Sequence, residues 1–90
     1  MTVAQRSVTV RNRNGIHARP ASEFVKLAGK FDSEISVGKD EMWVNGKSIM
    51  GVMTLAAEYG STLVIKAEGV DAEAAAEALA ECLSRSWQEV

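Results

Sequence analysis

A single proline, Pro20, stands a short way beyond the dipeptide Asn14-Gly15, and the two together leave the backbone little choice. Asn-Gly makes a tight turn because glycine enters positive φ without a Cβ clash. Proline has no N–H and a fixed φ, so a helix accepts it only in its first turn. The chain before Asn14 must therefore turn and continue as a helix that contains Pro20 near its start. His17, the one histidine in the sequence, falls at or just before the first helical residue, and Arg19 falls inside the first turn.

At such a junction the backbone N–H groups of Ala18 and Arg19 have no partner within the helix and lie at the positive end of its dipole, which suits an anion. The Arg19 guanidinium adds donors matched to phosphate oxygens. A neutral imidazole there can act as a nucleophile toward phosphorus. A lone histidine near a helix start is more often a surface or capping residue than a catalytic one, so residue type and position alone do not assign the chemistry.

The whole run Asn12-Arg13-Asn14-Gly15-Ile16-His17-Ala18-Arg19-Pro20-Ala21 resembles the active-site pattern of the HPr family. These are the histidine-phosphorylatable carriers of the bacterial phosphoenolpyruvate-dependent sugar phosphotransferase system. The pattern is asparagine, two variable residues, glycine, leucine or isoleucine, then His-Ala-Arg-Pro-Ala. Further along, Lys47-Ser48-Ile49-Met50-Gly51-Val52-Met53-Thr54-Leu55 is similar to the regulatory-serine region of HPr proteins controlled by a dedicated serine kinase. The resemblance covers essentially the whole chain.

Ninety residues make one domain, 1–90, close to the size at which a single core can stabilise itself without disulfides or metal. With 12 acidic and 10 basic side chains the net charge is −2, and like charges form no block, so neither a nucleic-acid footprint nor a polybasic membrane anchor is expected. A lone cysteine, Cys82, cannot form an intrachain disulfide, and one His with one Cys makes no zinc-ligand set. No cofactor and no metal are expected. The N-terminal residues carry no apolar stretch of the signal-peptide kind, which leads to the expectation of a soluble cytoplasmic protein.

Val8 and Val10 alternate with polar residues over 6–11 and predict a strand. Ala21, Phe24, Val25 and Ala28 recur at helical spacing over 18–30. Residues 34–45 read as a hairpin with Gly38-Lys39-Asp40 as its turn, Met42 and Val44 on the return strand and Asn45-Gly46 closing it. Ser48–Ala57 reads as a short helix capped by Ser48, and Leu63-Val64-Ile65 as a strand. Asp71 is expected to cap an alanine-rich helix running to about Trp87, with Ala72, Ala75, Ala76, Leu79, Cys82 and Leu83 inward and Glu73, Glu77 and Glu81 toward solvent. The order β-α-β-β-α-β-α implies an α+β sandwich with an antiparallel sheet. Ferredoxin-like modules share that order; the resemblance adds the open-faced arrangement of a four-stranded sheet covered on one face by three helices.

On the short helix, Val52, Leu55 and Ala56 share a side and Met50 lies nearly opposite, with Met53 at the edge. If the first three are buried, then Met50, Met53 and part of Ile49 form an exposed apolar patch, and methionine suits a surface that fits several partners. The resemblance implies that this region docks Enzyme I and the sugar-specific IIA domains, with Ser22, Lys47, Ile49, Met50, Gly51 and Met53 as contact residues. It implies His17 as the phosphoryl acceptor at Nδ1, assisted by Arg19 and the backbone N–H of Ala18. It implies Ser48 as a site for an HPr kinase/phosphorylase, although a serine in that position is otherwise simply a helix cap. A monomer without independent turnover is expected. Alternatives are a nitrogen-branch carrier with the same histidine and other partners, a small acylphosphatase-like hydrolase, and a protein-binding module without chemistry. Trp43 and Trp87 are assigned packing roles.

Overall fold

A computed structural model describes residues 2–13, 15–55 and 58–85. The elements follow the expected order: β1 (Val3–Thr9), α1 (Ala18–Ala28), β2 (Glu34–Lys39), β3 (Met42–Asn45), α2 (Ile49–Thr54), β4 (Thr62–Glu68) and α3 (Ala72–Ser84). The four strands form one antiparallel sheet in the order β1-β4-β2-β3. β4 enters the middle of the sheet, with Val8 opposite Leu63 on one side and Val37 opposite Ile65 on the other.

Period-two alternation decides which face the helices cover. Ala4, Val8, Ile35, Val37, Leu63, Ile65 and Ala67 are buried, while their neighbours Val3, Gln5, Ser7, Thr9, Glu34 and Thr62 are exposed. Ala21, Phe24 and Ala28 of α1 join this core, as do all six expected residues of α3, Cys82 included. Burial also pushes the Cys82 thiol up from its ordinary pKa, consistent with a small core residue. The core dominates the energetics: truncating a side chain as buried as Phe24 (0% exposed) to alanine costs about 3–5 kcal/mol. By contrast, the exposed Arg6–Glu73 ion pair, at 3.0 Å, belongs to a class worth roughly 0–1 kcal/mol.

Several expectations need correction. The first strand begins three residues earlier and ends two earlier than expected, because its pairing with β4 runs from Val3 opposite Glu68 to Thr9 opposite Thr62. The hairpin turn is Asp40-Glu41, with Asp40 at φ 57°, and Gly38 and Lys39 belong to β2. Gly38 serves packing instead: a Cβ there would meet the Trp43 ring at 2.8 Å, so the glycine lets the indole lie against the sheet's open face. Met42 does not continue the buried pattern. It is 51% exposed on an edge strand, where only Val44 packs against the core. α2 ends at Thr54, and the expected helical residues Ala56 and Ala57 lie outside the described residues, as does Trp87.

Asp71 does precede α3, but its side chain does not cap that helix. Its carboxylate accepts from the backbone N–H groups of Asp32 and Ser33, each at 2.9 Å, and from the Ser33 hydroxyl. Tertiary contact outcompetes the local cap because Ser33, only 1% exposed, needs partners that the loop itself does not supply. The Ser33 hydroxyl first, and then the Asp32 amide, hold the Asp71 carboxyl below its usual pKa.

Candidate phosphoryl-acceptor site

The site is built where β1 hands over to α1. The ladder continues one residue past β1: the Val10 N–H donates to the Ser61 carbonyl at 2.8 Å, and the Gly60 N–H donates to the Val10 carbonyl at 2.9 Å. Asn12 then closes a turn on Gly15. The Gly15 N–H donates to the Asn12 carbonyl at 2.9 Å, and the Asn12 side-chain Nδ2 donates to the Gly15 carbonyl at 2.6 Å. Gly15 sits at φ 73°, the left-handed region expected for it. Ile16, 8% exposed, plugs into the core and anchors the far side of the turn.

His17 is the N-cap residue of α1, in extended conformation with φ −101° and ψ −169°. Its carbonyl accepts from the Ala21 N–H at 3.0 Å, closing the first helical turn. The imidazole is half-buried, and its Nε2 atom is turned away from solvent. Ala18 and Arg19 occupy the first two helical positions and are exposed, whereas Pro20 is buried at the third. Helix geometry leaves the Ala18 and Arg19 amides without intrahelical acceptors, and no acidic side chain occupies the first turn to neutralise them. The arrangement places the Ala18 and Arg19 amides at the positive end of α1 immediately after His17, with the Arg19 side chain exposed in the same turn. No group of three or more His, Cys, Asp or Glu side chains able to hold a metal ion occurs among the described residues. No described helix is long and apolar enough to cross a membrane.

The second motif forms α2, which packs against α1 and β3. Ser48 is half-buried, and its Oγ accepts from the Gly51 N–H at 3.1 Å, so the expected cap is present. Val52 (3% exposed) and Leu55 (4%) face the core, while Ile49 (40%), Met50 (75%) and Met53 (42%) are exposed, as the helical wheel requires. Ser22 is half-buried on α1. Lys47 is exposed, and its Nζ donates to the Phe31 carbonyl at 2.8 Å. Gly51 is half-buried, and a Cβ there would come within 3.2 Å of the Asn45 carbonyl, so packing already accounts for a glycine at that position.

Two features escaped the sequence reading. Asn12 was part of the matched pattern but had no task, although an asparagine three residues before a glycine is a recognisable turn signal. The Val10 anchor joins residues far apart in the chain, and nothing local announces it.

Comparison with known proteins agrees with this geometry. The family model for the PTS HPr component phosphorylation site matches residues 4–85. The phosphocarrier protein HPr of Treponema pallidum is 45% identical over 84 residues, covering 93% of this chain and 96% of its own. The crystal structure of an HPr from Bacillus anthracis superimposes with a TM-score of 0.86 at 47% identity, covering 92% of this chain and 99% of that one. Crh of Bacillus subtilis, a catabolite-repression relative solved as a dimer with a swapped domain, is 40% identical with a TM-score of 0.76, covering 96% and 99% of the two chains. With the His-Ala-Arg-Pro junction, the fold and the relatives in agreement, the chain belongs to the HPr family of phosphocarriers of the phosphotransferase system.

Proposed function

We propose that this protein accepts a phosphoryl group on His17 from phosphorylated Enzyme I, charged from phosphoenolpyruvate, and passes it to sugar-specific IIA domains. One observation carries the reading: the only imidazole of the chain sits on the N-cap of a helix whose first turn offers amides and a guanidinium but no acidic side chain. In the transfer, a lone pair of the imidazole forms a bond to phosphorus while the bond to the donor breaks and its electron pair leaves with the donor. The buried Nε2 favours Nδ1 as the accepting atom. The amides of Ala18 and Arg19 and the Arg19 guanidinium stabilise charge on the moving group, which is most of what a protein can add to phosphoryl transfer.

The exposed Ile49, Met50 and Met53, with Lys47, Ser22 and Gly51 around them, form the docking surface in this reading. Phosphorylation of Ser48 by an HPr kinase/phosphorylase would place about −2 charge beside that apolar surface and slow transfer at His17 while leaving the fold intact. The protein works as a cytoplasmic monomer, and the Ser48 motif favours the sugar branch over the nitrogen branch.

The test is incubation with phosphoenolpyruvate and Enzyme I. Stoichiometric, acid-labile and alkali-stable labelling of wild type, absent from His17→Ala, is the expected result. No labelling by a competent Enzyme I would overturn the proposal. A Ser48→Asp variant that accepts phosphate at the wild-type rate would remove the regulatory part alone.

A further inference from the structure

The geometry points to Asn12 as a positioning residue for phosphoryl acceptance, one that holds the imidazole-bearing loop in place through its side-chain amide; this rests on His17 being the acceptor. Asn12 is 2% exposed, and a polar side chain that deeply buried needs its hydrogen bonds made within the protein. Its Nδ2 meets the Gly15 carbonyl at 2.6 Å while its backbone carbonyl takes the Gly15 N–H at 2.9 Å. One residue therefore grips both backbone polar groups of the other.

Only Ile16 separates that clamp from His17. Beyond His17 the chain is fixed by the first turn of α1, and before Asn12 it is fixed by the Val10 hydrogen bonds to Ser61 and Gly60. Neither the sheet ladder nor the helix provides the Asn12–Gly15 side-chain bond. Without it, the segment between Val10 and His17 keeps its ends, the backbone bond from the Gly15 N–H and the Ile16 anchor, but the Gly15 carbonyl loses the partner that holds its peptide plane, and with it the direction in which Gly15, at φ 73°, delivers the chain to the imidazole. In-line transfer is sensitive to displacements of about 1 Å, which can cost on the order of a hundredfold in rate. The large core residues Phe24, Leu63, Ile65 and Leu79 lie in α1, the sheet and α3, outside the segment that this amide holds.

Asn12→Asp separates positioning from general stability. The two side chains are nearly isosteric, but an ionised carboxylate cannot donate to the Gly15 carbonyl, whereas a protonated carboxyl can. Transfer from phosphorylated Enzyme I is measured against pH, each rate divided by the wild-type rate at the same pH. The expected result is a deficit of about ten- to a hundredfold near pH 7.5. It shrinks for Asn12→Asp on acidification toward pH 5 and persists unchanged for Asn12→Ala. Relative rates of Asn12→Asp equal to wild type across the range, or identical for both variants at every pH, overturn the inference.

Should a variant fail to fold, the wild-type protein still decides by NMR. The Asn12 Nδ2 protons must exchange with solvent more slowly than those of the exposed Asn45, and equal rates refute the clamp. Unlabelled wild type would sink the acceptor reading itself, whereas labelled wild type with unaffected variants sinks this inference alone.

Discussion

α1 begins at His17 and α3 at Asp71, and neither side chain caps its own helix. From that shared position the two helix starts diverge. At α3 the positive end is offset by Glu73 in the first turn, and the Asp71 carboxylate spans to the α1–β2 loop, where it collects the Asp32 and Ser33 donors. At α1 no acid occupies the first turn, and the first two residues are exposed. A helix start that carries its own negative charge works as a joint, whereas one without it stays receptive to an anion from outside. Ser48 shows a third outcome, a local cap on the Gly51 amide of its own short helix.

The contrast can be broken by giving α1 the acid it lacks. Ala18→Glu places a carboxylate at the exposed first helical position, where it should stabilise the helix by about 0.3–1 kcal/mol. The same charge competes with the incoming phosphoryl group, and transfer should fall by about tenfold or more. Melting temperature and initial transfer rate should therefore move in opposite directions. An unchanged rate would mean that the open helix end is not what receives the anion.

Asp71→Asn sharpens the other side of the comparison. The Asp71 carboxyl lies below its usual pKa because the Ser33 hydroxyl and the Asp32 amide favour its ionised form. Folding therefore gains from that ionisation in full above the unfolded carboxyl's value, about 3.9, and loses the gain as pH falls through the lower folded value. Urea midpoints of wild type should drop on acidification from about pH 5 downward. The variant should start lower and show a flatter acid limb, while its phosphoryl transfer near pH 7 stays at the wild-type level. A parallel acid limb for the two proteins would show that Asp71 contributes no such linkage.

The smallest effect is expected at Ser48. Ser48→Ala removes the acceptor for the Gly51 N–H and should cost about 1 kcal/mol in chemical denaturation. A loss several times larger would mean that the cap supports more than its own helix.

Most of the architecture was legible because its signals are short-range. The apolar periodicity of α3 named every buried residue of that helix, and the incompatible faces of α2 foretold which methionines are exposed. The placement of His17 and Arg19 at the start of α1 and of Ser48 as a cap was legible for the same reason, since turn, proline and cap chemistry act within a few residues. The readings that failed were competitions. Asp71 looks like a cap until Ser33 arrives from another part of the chain, and Gly38 looks like a turn residue until Trp43 is laid on it from the neighbouring strand.

By itself, then, the sequence determined the strand-to-helix junction, the element order and the two motifs, because backbone sterics and amphipathic periodicity operate locally. Tertiary structure alone decided the strand order with β4 inside the sheet, the Val10 anchor, the Asn12–Gly15 clamp in its buried setting, and the partner Asp71 takes. Each of these turns on which polar groups are removed from water together, and that is settled only when distant segments pack.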